Sequence, residues 1–234
     1  MVDPGVSPAT PPVGADLCTP FLTQLRITGA AISIFGGAAP ETLVCASDPL
    51  AARLDELQFD LGEGPRWEAL RTRLPVLVPD VHDTHPYSWP VFSKAVLDTE
   101  AAALFVFPLT LGALDLGVVE LHRAKPGNLS HTDHAAAVVL AGRTAWELLR
   151  RVLSVNSADT DPAVDAALMS RREIHQATGM VLAQSGVSAA DALLLLRAHA
   201  FANSMTLREA ADEVLLGTLS FTPRNDPHEN AGLQ

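Results

Sequence analysis

Two long apolar runs, Ala103 to Thr110 and Leu116 to His122, lie close together with only a short segment containing Gly112-Ala113-Leu114-Asp115 between them. Apolar runs bounded by a turn signal in this way read as two antiparallel strands of one hairpin. The longest uninterrupted run, Ala101 to Leu111, contains Pro108 and falls short of the roughly 20 residues that a bilayer-spanning helix needs. The hairpin therefore belongs to a sheet inside a folded domain. Further strands are at hand. Ile27 to Phe35 carries the β-branched residues Ile27, Ile32 and Ile34, the Gly36–Gly37 pair marks a turn, and Thr42 to Ala46 returns as a partner.

Helical segments flank these strands. Leu50 to Phe59 has helical character and is broken by Leu61-Gly62-Glu63-Gly64-Pro65, after which Arg66 to Arg71 restarts. Val76-Leu77-Val78, bracketed by Pro75 and Pro79, fits a short buried strand, and Trp89 to Leu97 a helix with Pro90 in its first turn. Past Pro126-Gly127-Asn128, Thr132 or Ser130 can cap a long helix running to about Leu153. Val138, Ala141, Ala145, Leu148 and Val152 recur along it at helical spacing. That stripe suits either a dimer seam or the face of its own sheet.

The ends and the join differ from this pattern. Residues 1–15 are rich in Pro, Gly and Ser and are expected to be disordered, because they cannot bury enough apolar area to offset ordering entropy. Residues 154–161 are polar and non-periodic, a linker. Asp161 and Pro162 then offer an N-cap and a first helical residue, and three helices fit into residues 162–216. The first runs to about residue 184, with Ala167, Ile174, Ala177 and Val181 on one face and Gly186 as its stop. The second opens at Ser188 with Asp191 three residues on, and its apolar run Leu193 to Leu196 predicts the buried centre of the module. The third opens at Thr206 with Glu209, a fuller capping box, and buries Leu207, Ala210, Ala211 and Val214. Residues 217–234 read as a flexible tail.

Charge narrows the function. The chain carries 16 Lys and Arg against 27 Asp and Glu, a net charge of -11, the opposite of what phosphate binding ordinarily requires. The two cysteines, Cys18 and Cys45, have no metal-ligand spacing around them and do not fix a redox compartment. Asp80, His82, Asp83 and His85 share a Pro-flanked loop but match no strong ligand motif, so no metal is expected. No phosphate-binding Gly-rich loop, no nucleophile with an oriented base and no export leader is visible. The expectation is a cytoplasmic protein without cofactor, without membrane contact and without enzymatic activity.

Two resemblances sharpen this picture. Leu61-Gly62-Glu63-Gly64-Pro65, Pro75-Val76-Leu77-Val78-Pro79-Asp80, Phe107-Pro108-Leu109 and Leu116-Gly117-Val118-Val119-Glu120-Leu121 together resemble a GAF domain over residues 16–153. Arg172-Glu173-Ile174-His175-Gln176-Ala177-Thr178-Gly179-Met180-Val181 is similar to the first-helix motif of ANTAR domains. Ala192, Leu196-Arg197, Asn203, Leu207 and Ala210-Ala211 continue it through residue 216. The fold implied is an α/β GAF-type domain, an antiparallel sheet flanked by helices, followed by a small all-α three-helix ANTAR domain. Two departures stand out. Many ANTAR sequences carry Lys where this chain has Thr178, and many GAF relatives carry Cys after the Gly-Pro pair, where this chain has Arg66-Trp67.

The ANTAR resemblance implies binding of RNA hairpins in nascent transcripts, often as a dimer, and suppression of a terminator. The GAF resemblance implies response to a small-molecule or protein signal and dimerisation; the ligand is unknown. Trp67, Tyr87, Trp89, Phe92, Phe105 and Phe107 either line its cavity or form plain core. Arg171, His175 and Thr178 fall at i, i+4 and i+7 with Arg172 and Gln176 beside them, a polar stripe that the resemblance turns from a solvated face into an RNA surface. Arg197, Asn203 and Arg208 extend the candidate set, although Asn203 also fits a helix C-cap and Arg208 an ion pair with Asp212. Within residues 165–216 four arginines (171, 172, 197, 208) face six acids (165, 173, 191, 209, 212, 213), which predicts weak binding by one copy and stronger binding by two. The rival readings are a protein-interaction or ligand-sensing module whose ANTAR domain no longer binds RNA and, from a third class, a catalytic GAF domain.

Overall fold

The computed structural model describes residues 15–35, 41–83, 88–154 and 171–222, which form two compact units divided at Arg171. Expectations for residues 1–14, for the Gly36–Gly37 turn, for the 155–161 linker and for the helical start at Asp161 lie outside the described residues, as does everything past residue 222.

In the first unit, strands β1 (Gly29–Ile34), β2 (Thr42–Ala46), β3 (Val76–Val78), β4 (Ala103–Leu111) and β5 (Leu114–Arg123) make one antiparallel sheet in the order β2-β1-β5-β4-β3. The β4–β5 hairpin is tighter than its sequence suggests. Leu111 pairs with Leu114, so only Gly112 and Ala113 turn the chain, and Gly112 takes a φ of 58° at the first central position. Gly117 sits where β1 and β5 approach closely: a Cβ there would stand 2.0 Å from the Ser33 carbonyl oxygen.

Strand alternation divides the sheet into two unlike faces. Ile32, Phe105, Phe107, Leu109, Val119 and Leu121 point to one side, under α1 (Ala15–Gln24) and α5 (His131–Ser154). Leu104, Val106 and Val118 point to the other, under α2 (Pro49–Leu61), α3 (Pro65–Thr72) and α4 (Pro90–Ala95), and there the buried polar residues Ser33, Glu120 and His122 join them. Helix α1 has no counterpart in the sequence reading. Pro20 lies inside it and cannot donate to the preceding turn, which hides the helical signal; burial of Leu17, Cys18 and Phe21 holds it in place. Cys18 is disulfide-bonded to Cys45 of β2.

The segment Leu61 to Pro65 joins three helices. Gly62 ends α2 in the left-handed conformation (φ 63°). Glu63 then caps a different helix, its carboxylate accepting from the N–H groups of Val91 (2.8 Å) and Phe92 (3.1 Å) at the start of α4. Gly64 takes a φ of 128° against Gln58, where a Cβ would come within 2.7 Å, and Pro65 opens α3.

Ser130, not Thr132, caps α5, accepting from the N–H of Asp133 (3.0 Å). The apolar stripe expected on this helix splits in two. Ala141, Ala145 and Leu148 pack on the sheet, whereas Val138 is exposed together with Val139 and Trp146, the last 65% exposed. The side chain of Val152 lies outside the described set.

The second unit contains α6 (Arg172–Ser185), α7 (Ala189–Ala202) and α8 (Leu207–Leu215). Ile174, Ala177 and Val181 meet Ala192, Leu196 and Ala200 and the expected set Leu207, Ala210, Ala211 and Val214. Both sequence-read caps are present: Ser188 accepts from the Asp191 N–H, and Thr206 and Glu209 form a reciprocal capping box. Helix α7 is not the buried centre. Three helices can cover only one side of each other, so Leu194 (62%) and Phe201 (66%) face outward. Residues 218–222 are not loose either: the Phe221 N–H donates to Gln184 (2.9 Å) and its ring packs edge-on against His199. No single helix among the described residues is long and apolar enough to cross a membrane.

Candidate RNA interface and sensor core

The second unit does not present the polar stripe intact. Arg171 is only 6% exposed and Thr178 only 8%. In an α-helix Thr178 stands about 40° around from Ile174, which places it at the edge of the core face. Its hydroxyl donates to the Ile174 carbonyl at 2.7 Å and is thereby used within the helix. Both residues are corrected from exposed RNA surface to buried positions, Thr178 on α6 and Arg171 just before it. Arg172 and Gln176, one turn apart, do lie on the open side of α6, while His175 and Arg197 are half-buried.

Arg208 does not pair with Asp212 as its spacing predicted. It reaches across to α6 and donates to Glu173 at 3.0 Å. Glu173's own backbone N–H and the Arg208 guanidinium hold that carboxyl below the usual range. Asn203 acts as the C-cap of α7, its amide donating to the His199 carbonyl at 2.8 Å, yet the residue stays exposed. Of the candidate residues, Arg172, Gln176, Asn203 and Arg208 are thus exposed and Arg197 and His175 half-buried.

The sensor unit holds a different kind of site. Arg66 is fully buried (0% exposed) and faces three carboxylates: Glu120 at 2.7 Å, Glu41 at 2.8 Å, and Asp55. Gln58 ties the group together, accepting from the Arg66 N–H (2.9 Å) and donating to Glu120 (2.6 Å), while Ser33 donates its hydroxyl to Asp55. The Phe35 ring covers the guanidinium at 5.5 Å. Sequence reading missed this constellation. Its available signal was period-2 placement of Glu120 beside Val118, which puts a carboxylate on an inward face.

A second polar pair, buried only on its histidine side, belongs to the same unit. His122 meets Asp48 at 3.2 Å, and Asp48 also caps α2 through the Ala51 N–H at 2.9 Å. Burial alone would raise the Asp48 carboxyl, but the hydroxyl of Ser47, the Ala51 N–H and His122 outweigh it and hold the group below its ordinary value. Of the aromatic residues, Phe92, Phe105 and Phe107 are plain core; Trp67 donates to the Gln58 carbonyl at 2.8 Å, and Trp89 stacks edge-on against Phe92. Tyr87 and His85 lie outside the described residues. Asp80 accepts from the His82 N–H (2.9 Å), an ordinary turn, and no group suited to a metal ion occurs among the described residues.

A family model described as the GAF domain matches residues 21–150, more than half of the chain, and one described as the ANTAR domain matches residues 163–215. The chain belongs to the GAF and ANTAR domain family. The ANTAR domain marks a family of RNA-binding antitermination regulators, and the GAF domain is a sensory module. No curated protein matches this GAF–ANTAR chain significantly.

Among solved structures it is similar to a domain assigned to a two-component sensor histidine kinase protein from Sinorhizobium meliloti 1021. The identity is 17%, with 65% of this chain and 100% of that one covered, at a TM-score of 0.50. It is also similar to the GAF domain of a phosphoenolpyruvate-protein phosphotransferase from Coxiella burnetii, at 16% identity, 62% and 88% coverage and a TM-score of 0.48. The GAF domain of the same kind of enzyme from Acinetobacter follows at 11% identity, 65% and 90% coverage and a TM-score of 0.46. At such identities the likeness speaks for the fold of the GAF unit alone.

Proposed function

We propose that this GAF–ANTAR protein is a signal-responsive, non-enzymatic regulator that binds structured hairpins in nascent transcripts and promotes antitermination. The observation that carries the reading is the open face of α6. There Arg172 and Gln176 stand at i and i+4 on a module whose core and caps agree with the ANTAR pattern. A guanidinium can fork onto phosphate or stack on an unpaired base, and an amide can read base edges in a splayed loop. Arg208, Asn203, Arg197 and His175 complete the surface, while Arg171 and Thr178 stay buried.

With more acids than arginines on the module, one copy binds weakly, and pairing two copies supplies the missing affinity. Helix α5 supports such pairing. Ala135, Val139, Gly142, Trp146 and Leu149 alternate four and three residues apart, the spacing of a two-helix seam, and the first four are exposed.

The test is binding of the full chain to RNA hairpins with unpaired hexameric loops, followed by fluorescence anisotropy. Arg172→Ala combined with Gln176→Ala is expected to lower affinity by about tenfold or more, the equivalent of one to two hydrogen bonds to charged groups. Binding that is unchanged in the double variant would remove α6 from the interface. Absence of binding to any hairpin would overturn the reading in favour of a protein-contact module, for which the exposed Leu194 and Phe201 provide an apolar surface.

A further inference from the structure

The Cys18–Cys45 disulfide joins α1 to the edge strand β2, with a Cα–Cα distance of 6.2 Å that lies within the range of native disulfides. These are the chain's two cysteines, and both are buried. The link adds a covalent tie to an element otherwise held by burial of Leu17 and Phe21 against the sheet and α5. Helix α1 has only ten residues, and Pro20 removes a backbone hydrogen bond from its middle. Its outer side meets α5 along a cleft of about 360 Å³ lined by Leu17, Pro20 and Gln24 on one side and Leu140, Arg143 and Glu147, among others, on the other. Helix α5 carries the exposed Val139–Gly142–Trp146 face next to this cleft, and Val139 lines a neighbouring cleft with Gln24 of α1. Cys18 Sγ lies 3.5 Å from the Ala30 carbonyl oxygen, which accepts from the Ser47 N–H at 2.9 Å and which a Cys18 thiol, once reduced, could share.

We infer that Cys18 and Cys45 form a redox-sensitive link, in which reduction frees α1 from β2 and loosens the α1–α5 packing beside the seam. The inference rests on the proposed role in RNA regulation, because a protein working among transcripts sits with thiol reductants, where a disulfide is more often a switch than a staple. In the opening reaction a thiolate of a small dithiol attacks one protein sulfur, giving a mixed disulfide and one protein thiolate. The second thiol of the reductant then displaces the other protein sulfur. Two electrons and two protons pass to the protein, and the reductant leaves as its cyclic disulfide. Closure reverses these steps with a small oxidised dithiol as the electron acceptor. Burial of both sulfurs requires α1 to open before attack, so exchange is slow and follows the opening of that helix.

The experiment compares the full chain equilibrated with reduced and with oxidised dithiothreitol. Maleimide mass-tagging after denaturation counts free thiols, and hydrogen exchange follows α1, β2 and α5. Expected are two tagged thiols per chain after reduction and none after oxidation, with exchange in α1 and along α5 faster by about tenfold or more in the reduced form. Cys18→Ala/Cys45→Val should exchange like the reduced chain under both conditions, and Cys18→Ser alone serves if that pair fails to fold. Two free thiols that never pair under oxidised dithiothreitol would overturn the link. Equal α1 and α5 protection in the two redox states would leave a passive staple and overturn the switch. Neither readout involves RNA, so failure of the RNA-binding proposal would register separately.

Discussion

Replacing Arg66 with Met tests whether the buried ion cluster supports the GAF fold. The substitution keeps the length of the stem but removes the cation from three carboxylates. Two of these, Asp55 and Glu120, have side chains only 1% and 3% exposed and cannot turn to water; Glu41, at 11%, partly can. Removing one partner of a buried pair costs about 3–5 kcal/mol, because the remaining charge stays desolvated. Against a total stability of about 5–15 kcal/mol this is a large fraction. At about 2–4 °C per kcal/mol for a domain of this size, the GAF transition should fall by about 6–20 °C. Differential scanning calorimetry of the full chain measures the fall, and hydrogen exchange in β5 and α3 localises it. Arg66→Met/Asp55→Leu/Glu120→Leu, which removes the stranded charges as well, should recover most of the loss. A drop under about 2 °C for the single variant, or a triple variant as unstable as the single one, would refute the reasoning.

Two further outcomes follow from the same unit. The Asp48 carboxyl is held below its ordinary value in the folded state, so its contribution is complete above the unfolded-state value near 4 and is lost as pH falls toward the folded one. Asp48→Ala should therefore lower stability by about 1 kcal/mol at neutral pH, mostly through the lost α2 cap, and the difference from wild type should shrink in acid; a pH-independent difference in urea midpoint would contradict this. Trp146→Glu places a charge on the exposed α5 face and should give monomers in sedimentation while moving thermal stability by no more than about 0.5 kcal/mol; a dimer that persists would move the seam elsewhere.

Local chemistry was legible in the sequence. The β4–β5 hairpin, the Ser188 and Thr206 caps and the buried set Leu207, Ala210, Ala211 and Val214 each depend on neighbours within a few positions. What escaped depends on distance or on competition. Arg66 and Glu120 are 54 residues apart, and no local pattern announces that they meet. Helix α1 was masked by Pro20, since tertiary burial of Phe21 and Leu17 overrides a poor local propensity. Thr178 looks like surface because it is polar, but the angular width of the core stripe on α6 takes it in, whereas Arg171 is buried just before that helix begins. For α7 the difference runs the other way: uniform apolarity predicts burial, but a bundle of three helices shields just one flank of each and leaves Leu194 and Phe201 outside. The proposed interface therefore keeps Arg172 and Gln176 from the sequence-read stripe as exposed residues and loses Arg171 and Thr178 to burial.

The five residues from Leu61 to Pro65 have a consequence for how this domain can vary. One carboxylate anchors a remote helix while the two flanking glycines set the angles of the helices on either side. Inserting or deleting even one residue would swing Glu63 off its anchor and break the Gly64–Gln58 fit at once. The stretch works as a rigid joint of fixed length. Drift in such a protein can exchange the side chains around the joint, but changes in chain length must be absorbed elsewhere.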